Sequence, residues 1–286
     1  MVVITDPRCT EYHAPNHPER PSRILRSVDF LQDQKFLPIQ WESPGTISET
    51  QLLRVHTRYH LERLLIPVDF DLDTKACPNI RHYAELSAAG MLRALDFALQ
   101  GMPAFSLMRP PGHHAMPERA MGFCYLNNVA IAALEARSRG IRRIAVFDFD
   151  VHHGNGTEHI LYGQEGFAYF SVHQFPAYPG TGYESRQNVW NYPVLPGADR
   201  ETYQDALKQA LDRLHAFAPD LILVSAGFDA YRNDPIANEN LEEEDYHWLG
   251  QQLRKLGVPF CSALEGGYSE ELPQLILAYL LGCAGH

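Results

Sequence analysis

The chain has 286 residues, of which 45% are hydrophobic and 21% are charged, and its formal net charge is −11. This length is near the upper limit for a chain that folds around one hydrophobic core, and the composition is that of a folded globular protein. We therefore predict one domain over residues 1–286. The acidic balance argues against a nucleic-acid partner, because such binding needs a basic surface that displaces counterions.

The segment at the start of the chain turns polar after a few residues, and no apolar stretch approaches the ~18 residues of a membrane span. Five cysteines are scattered without a CxxC pair, so neither a disulfide framework nor a thiolate zinc site is indicated. The sequence thus predicts no membrane contact and a cytoplasmic location. It leaves the oligomeric state open.

Short apolar runs alternate along the chain with segments of helical periodicity. Runs rich in Val, Ile, Leu and Phe predict buried strands at 2–5, 103–108, 143–150, 168–174, 220–229 and 258–268. Helical patterns lie at 82–101, 127–140, 201–217 and 244–257, and each ends in or near Gly or Pro. This alternation predicts an α/β fold with a mainly parallel central sheet and helices on both faces.

Four polar clusters directly follow predicted strands. They are RPPGHH after 103–108, DVHHGNG after 143–149, GFDAYRNDP after 220–226 and EGGY after 258–264. In open α/β sheets, ligands bind outside the carboxyl ends of the strands. We therefore expect the four clusters to meet in one cleft, and this convergence is stronger evidence than any single cluster.

The stretch DFDVHHGNGT, residues 148–157, places two acids and two histidines directly after a strand. Side chains of an extended chain alternate between faces, so Asp150 and His152 point to one side and His153 to the other. Asp229, at the end of another strand, completes a set that suits a catalytic Zn²⁺, with Fe²⁺ or Co²⁺ as alternatives. The motif alone is equally compatible with helix-capping acids and a buried core histidine. We expect His153 to be structural.

The loop PPGHHA holds two candidate acid–base residues, His113 and His114. Asp148 and Asn155 are possible partners for their rings, and a histidine beside a carboxylate stays protonated more readily than one beside an amide. EGGY supplies Tyr268 on a double-glycine turn that we expect to be mobile, and its phenol can donate to a developing oxyanion. Without a metal, these residues are more simply explained as ordinary surface and core side chains.

Seven motifs in chain order resemble the zinc-dependent histone deacetylase family, which has the arginase/deacetylase fold. They cover nearly the whole chain: HPERPSR (17–23), RPPGHHA (109–115), GFCYLNN (122–128), DFDVHHGNGT (148–157), SVHQFPAYPGTG (171–182), SAGFDAYRNDP (225–235) and EGGY (265–268). The resemblance implies a zinc-dependent amide hydrolase whose site lies at the carboxyl ends of the strands. Its zinc ligands would be Asp150, His152 and Asp229.

The same resemblance implies the catalytic roles. His114 would be the general base and acid, His113 its electrostatic partner, and Tyr268 the residue that polarises the carbonyl group. Asp148 would pair with His113. Another branch of the family often has Asp at the position of Asn155. The Asn makes this chain similar to the class II and bacterial deacetylases.

The resemblance also implies three further groups of residues. A structural K⁺ would be held by Asp148, Ser171 and Val172. A narrow tunnel and the adjoining substrate-binding wall would be formed by Gly122, Phe123, Tyr178, Ile236 and Gly267. Arg23 would lie near the inner end of a product-exit channel.

Two aromatic walls suit a flexible alkyl chain that carries an acyl group to the metal, so an acylated lysine or a small acylamine is the expected substrate. Ile236 is apolar at the rim position where polyamine-selective relatives have an acid. Glu239 and the acids at 242–244 nevertheless keep an acetylpolyamine amidohydrolase open as the alternative. Because the surface loops must be short, we predict a wide, accessible mouth with weak sequence selectivity.

Two other functions compete with a zinc deacylase. An arginase-like ureohydrolase would need bridging carboxylates for a second metal, and the cleft motifs instead contain two histidines and a tyrosine. A binding module without turnover is disfavoured because every expected catalytic residue is present.

Overall fold

The computed structural model of the protein describes residues 1–286. Its centre is one eight-stranded sheet in which all neighbouring strands are parallel. The strands are β1 Val2–Ile4, β2 Gln40–Glu42, β3 Ala104–Ser106, β4 Ile144–Asp148, β5 Phe167–Gln174, β6 Val189–Val194, β7 Leu221–Ala226 and β8 Phe260–Leu264. Across the sheet they lie in the order β2-β1-β3-β8-β7-β4-β5-β6.

Nine α-helices connect or follow the strands. They are α1 Ser22–Asp33, α2 Glu49–Leu52, α3 Arg58–Arg63, α4 Ile80–Ala98, α5 Asn128–Ser138, α6 Asn155–Leu161, α7 Arg200–Phe217, α8 Glu243–Lys255 and α9 Leu272–Ala284. A short 3₁₀ helix covers Pro7–Thr10. None of these helices combines the length and apolar character needed to cross a bilayer.

The helices bury the sheet and so confirm the predicted α/β architecture. Every residue of β4, β5, β7 and β8 is buried, as expected for parallel strands covered on both faces. Helices α4 and α5 pack against each other and against the middle of the sheet, whereas α1, α8 and α9 form a second packed group. Gly90 lets α4 approach β3, because a Cβ atom there would lie 2.8 Å from the Ser106 and Met108 side chains.

The four strands that precede the polar clusters are neighbours in the sheet, in the order β3-β8-β7-β4. Their carboxyl ends therefore deliver the clusters side by side, as the sequence predicts. The predicted strand at 143–150 is too long, however, because β4 ends at Asp148 and the backbone bends at residues 150–152. Strand alternation thus does not explain why Asp150 and His152 meet; the bend brings them together.

Candidate active site

The three predicted metal ligands lie together at the ends of β4 and β7. The ligand atoms of Asp150, His152 and Asp229 are all within 4.8 Å of one another. The Nδ1 atom of His152 is 3.2 Å from Oδ1 of Asp150 and 3.0 Å from Oδ2 of Asp229. Two carboxylates and one imidazole in this arrangement fit a divalent cation with positions left for water and substrate.

Backbone N–H groups orient both carboxylates. Val151 donates to Oδ1 of Asp229 at 2.9 Å, and Gly266 donates to Oδ2 of Asp150 at 2.7 Å. Asp150 and Asp229 are fully buried. The carboxylates are therefore held in place by the fold itself, before any cation is considered.

The charges at the site show why it would attract a cation. Burial lowers the pKa of His152, but the two adjacent carboxylates outweigh burial and raise it to about 10. Burial and the neighbouring Asp150 carboxylate raise the pKa of Asp229, because two buried negative charges repel. A divalent cation at the same position would relieve this repulsion and take the place of the proton on His152.

The two histidines of the β3 loop have different partners, as predicted. Nδ1 of His113 lies 3.2 Å from Oδ2 of Asp148, and Nδ1 of His114 lies 2.9 Å from Oδ1 of Asn155. Burial lowers the pKa of His113, but the carboxylates of Asp150 and Asp148 raise it to about 10. Burial and the neighbouring cationic histidines hold the pKa of His114 well below its usual value. The carboxylates around His113 thus favour its cationic form, whereas burial and cationic neighbours favour a neutral His114.

The tautomer of His114 follows from its partner. Because the Oδ1 atom of Asn155 is only an acceptor, Nδ1 of His114 carries the proton and Nε2 has a free lone pair. The Nδ2 atom of Asn155 lies 3.4 Å and 3.5 Å from the sulfur atoms of Met116 and Met121, which are weak acceptors. The ring of His114 is therefore set to accept a proton at Nε2.

The segment 265–268 is held by hydrogen bonds, and the expectation of a mobile double-glycine turn is wrong. Arg23 donates to the carbonyl oxygens of Glu265 and Gly267, at 2.5 Å and 2.7 Å. Phe228 donates to the carbonyl oxygen of Gly266, and the amide of Tyr268 donates to Asp234. Nearly every backbone polar group of the segment thus has a partner.

The two glycines are needed for space and backbone geometry. A Cβ atom on Gly266 would lie 2.1 Å from Oδ2 of Asp229 and 2.6 Å from Oδ2 of Asp150. Gly267 has a φ of +114°, which other residues rarely adopt, and its Cβ atom would lie 2.8 Å from Leu272 and Phe228. The glycines let the backbone approach the metal ligands closely.

A cavity of about 430 Å³ leads from the surface to these groups. It contains both histidines of the β3 loop, two candidate metal ligands and Tyr268, and its walls include Gly122, Phe123, Tyr178 and Ile236. Of the predicted substrate-binding residues, only Gly267 is absent from the wall, where Gly266 stands instead. Burial holds the pKa of Tyr268 well above its usual value, so its phenol stays protonated and can donate.

Two wall residues depend on unusual backbone geometry. A Cβ atom on Gly122 would lie 2.4 Å from the His114 ring and 2.9 Å from the Tyr178 ring, so a side chain would close the cavity. Phe123 has a φ of +67°, and its amide donates to Oγ1 of Thr74 at 3.1 Å. Positive φ at a non-glycine residue is a strained conformation that surrounding contacts must stabilise.

Arg23 lies beside Tyr268, with its guanidinium carbon 4.7 Å from the centre of the Tyr268 ring. The space next to it, lined by Arg20, Arg26 and Ser269 among others, is only about 10 Å³. That volume holds at most about one water molecule. The space beside Arg23 is therefore too small for a product molecule in this structure.

The predicted K⁺ residues lie at the end of β4 and within β5. Asp148 and Ser171 are register partners on β4 and β5. The carbonyl oxygen of Val172 accepts a hydrogen bond from the hydroxyl of Tyr203 at 3.2 Å. His153 is buried between Thr181 and Glu158, at 2.8 Å from each, and points away from the metal ligands.

Several residues with clear contacts to the site are missing from the sequence prediction. His17 packs edge-on against Phe123 and reaches the carbonyl oxygen of Asp73 at 2.8 Å. The carboxylate of Glu265 accepts from the amides of Gly112 and His113, at 2.6 Å and 3.1 Å. Spacing gave no signal for these contacts, because each joins loops far apart in the chain.

The positions of Glu239 and of a second cluster of possible ligands bear on the alternative functions. Glu239 is only 2% exposed, so its carboxyl does not offer a charge to the rim. The buried cluster of His113, Cys124 and Glu265 is a second group of possible ligands. Its carboxylate accepts hydrogen bonds from two backbone amides and from Ser225.

The fold and the site together define a metal-dependent hydrolase. At one end of a parallel sheet, the candidate metal ligands lie beside two histidines with opposite pKa shifts and a buried phenol. The chain belongs to the histone deacetylase domain family, whose profile matches residues 17–282.

Individual relatives agree with this assignment. A probable deacetylase from Methanothermobacter thermautotrophicus is 37% identical over 302 aligned positions, which cover 100% of this chain and 91% of that protein. The solved HDA15 HD domain has a TM-score of 0.94 at 31% identity and covers 100% of this chain and 91% of its own. An acetylpolyamine aminohydrolase from Burkholderia pseudomallei has a TM-score of 0.87 at 28% identity, with coverage of 99% and 98%. The predicted family and fold class are confirmed, and the chain is an amide-hydrolysing enzyme of this family.

Proposed function

We propose that the protein is a zinc-dependent deacylase that removes an acyl group from a lysine side chain or a small acylamine. Acetyl is the main acyl group that we expect. The observation that carries this proposal is the cluster of Asp150, His152 and Asp229, because its first two members line the same cavity as His114 and Tyr268. Zn²⁺ in such a site lowers the pKa of bound water and polarises an acyl oxygen, and Fe²⁺ or Co²⁺ would serve as alternatives.

The residues of the chain supply the proton transfers. Nε2 of His114 takes a proton from the attacking water, since Nδ1 is already bonded to Asn155. The phenol of Tyr268 donates to the acyl oxygen as negative charge develops there. The cationic His113, held by Asp148, favours that charge, and a protonated histidine then delivers a proton to the leaving amine. The products are a carboxylate and a free amine.

The rim of the cavity favours acyl-lysine over an acetylated polyamine. Leu72, Tyr178 and Ile236 are exposed at 88%, 40% and 38% and make most of the mouth apolar. Asp73 is the one carboxylate on the wall outside the metal site, and it forms no ion pair with another residue. A single acid suits one N–H or ammonium group, whereas a polyamine carries several cations.

The experiment is a comparison of purified, metal-analysed protein on acetyl-lysine peptides and on acetylspermidine, with acetate release as the readout. We expect the peptides to have the higher kcat/KM, and Ile236→Glu to shift the preference towards the polyamine. Asp73→Asn should raise KM for both substrate classes. A strong preference of the wild-type protein for acetylspermidine would replace acyl-lysine with the alternative substrate.

We further propose that K⁺ binds beside Asp148, Ser171 and Val172, because Asp148 at the end of β4 is the register partner of Ser171 within β5. We also propose that Gly267 acts on the substrate only through the backbone it shapes, and that Arg23 borders a product path that opens during turnover. The single domain over residues 1–286, the cytoplasmic location and the absence of a nucleic-acid partner stay predictions from the sequence.

A further inference from the structure

Asp234 connects the rim of the cavity to the backbone of the catalytic tyrosine. Its Oδ2 atom accepts a hydrogen bond from the amide of Tyr268 at 2.7 Å, and its Oδ1 atom accepts one from the amide of Ile236 at 3.1 Å. The side chain of Asp234 is buried, and both partner residues line the cavity. One carboxylate therefore fixes two wall residues that come from different loops.

The bond to Asp234 is the one that holds the amide of Tyr268 itself. Arg23 and Phe228 hold the carbonyl groups of residues 265–267 and so fix the backbone before the tyrosine. Gly267 has no side chain to restrict the next peptide. The direction in which Tyr268 leaves the backbone thus depends on its amide bond to Asp234.

The contacts of the ring do not replace this bond. The Tyr268 ring meets Phe123 edge-on at 5.9 Å between centroids, and Arg23 lies over its face. Both contacts allow the ring to tilt or slide, because neither is a directional hydrogen bond to the phenol. Displacing a catalytic group by about 1 Å is enough to lose much of its effect.

We propose that Asp234 is a positioning residue that aims the phenol of Tyr268 at the acyl oxygen. The inference rests on the role that the proposed function gives to Tyr268. Ala at position 234 has no acceptor, whereas Asn would keep one oxygen that could still face the amide of Tyr268. Asp234→Ala therefore leaves the amide of Tyr268 without its partner.

The test is a double-mutant cycle of Asp234→Ala and Tyr268→Phe, read by the Kd of a fluorescent alkyl hydroxamate on the metal-loaded protein. We expect Tyr268→Phe to weaken binding about tenfold in the wild-type background, the effect of losing one well-placed hydrogen bond. In the presence of Asp234→Ala, the same change should weaken binding less than about threefold, because the phenol is already misaligned. Equal weakening in the two backgrounds overturns the proposal.

Amide hydrogen exchange on the metal-free protein is a second readout that does not depend on catalysis. Asp234→Ala should accelerate exchange at Tyr268 by at least about tenfold, the value expected for losing one hydrogen bond. Asp245→Ala is the control, since Asp245 is also a buried carboxylate that accepts a backbone amide, from Glu242, but lies outside the site. Asp234→Val, which also lacks an acceptor, replaces Asp234→Ala if the latter does not fold.

The two readouts separate the inference from the function on which it rests. If the wild-type protein neither binds the hydroxamate nor hydrolyses any acylated amine, the proposed function fails. The exchange rate at Tyr268 then decides about Asp234 alone, and an unchanged rate overturns its positioning role. If the wild-type protein binds and the cycle shows no coupling, only the inference about Asp234 fails.

Discussion

His114 lies 2.9 Å from a neutral amide oxygen of Asn155, whereas the adjacent His113 lies 3.2 Å from the carboxylate of Asp148. The rings are only 4.0 Å apart between centroids, yet their pKa values are displaced in opposite directions. Burial and the neighbouring cationic histidines lower the pKa of His114, and its partner Asn155 carries no charge to oppose them, whereas the carboxylates of Asp150 and Asp148 outweigh burial at His113.

Asn155→Asp should move the acid limb of the kcat/KM profile to higher pH. A carboxylate 2.9 Å from Nδ1 stabilises the cationic ring and raises the pKa of His114 from its low value, by about 1–3 units in comparable pairs. Because His114 must be neutral to take a proton, activity would then be lost at a higher pH as the solution is acidified. The measurement is kcat/KM against pH for both proteins.

Asn240→Asp is the control for this prediction, since it adds the same charge at an exposed position. It should leave the acid limb in place. An acid limb that Asn155→Asp does not move would show that His114 is not the base.

Gly266→Ala should abolish metal binding and turnover. The added Cβ atom would lie 2.1 Å from Oδ2 of Asp229 and 2.6 Å from Oδ2 of Asp150, so at least one carboxylate must move. Gly45→Ala is the matched control, because no atom lies within 4 Å of a Cβ at that position. Zinc content by elemental analysis distinguishes the two variants, and a Gly266→Ala protein with full zinc content would contradict the packing argument.

The strands and the positions of the clusters were predictable because their signals are local. The apolar runs before RPPGHH, DVHHGNG, GFDAYRNDP and EGGY each form a buried strand within a few residues of the predicted limits. The last helix, Leu272–Ala284, gave no such signal, because ten of its thirteen residues are buried and no polar face marks the helical period. The edge strands β2 and β6 were missed because they are short or partly exposed.

The sequence predicted the residues of the site itself better than the residues that hold them in position. The ligands, both histidines and Tyr268 occur in motifs of recognisable spacing. Asp234 and Glu265 act by accepting backbone N–H groups of distant loops, and a sequence pattern does not show which amides need an acceptor. The mobile turn was wrongly predicted for the same reason. The lack of free space around Gly266 is a property of the folded state, and the sequence does not show it.

Asp229→Asn should reduce the affinity for zinc by more than about tenfold, since removal of even an outer partner of a metal ligand costs that much. The substitution removes a negative charge but keeps nearly the same shape and the oxygen that accepts the Val151 amide. We therefore expect a folded protein with little bound metal and no turnover. Equilibrium dialysis against a zinc buffer measures the affinity, and circular dichroism checks the fold.

The neighbouring Asp234 provides the comparison for that prediction. It is a buried carboxylate of the same loop that is bonded only to backbone amides. Asp234→Asn should keep its zinc. Equal zinc loss in both variants would indicate that the loop has unfolded and that Asp229 is not specifically a ligand.

Glu239 should make the protein less stable as the pH rises. Its carboxyl is 2% exposed, neither oxygen has a hydrogen-bond partner, and burial raises its pKa from 4.5 to about 8. Between these two pKa values the folded state holds a proton that the unfolded state has lost, so the free energy of unfolding falls with increasing pH. The destabilisation begins above about pH 4.5 and is complete above about pH 8.

Glu239→Met removes the titrating group while keeping a side chain of similar size. The increase in Tm over the wild-type protein should therefore be small at pH 5, grow towards pH 8 and then level off, at about 2–4 °C for each kcal/mol relieved. Glu62→Met, at an exposed position, is the control for the general effect of losing a carboxylate. A Tm difference for Glu239→Met that is the same at pH 5 and pH 8 would mean that the carboxyl finds a partner or water in solution and ionises normally.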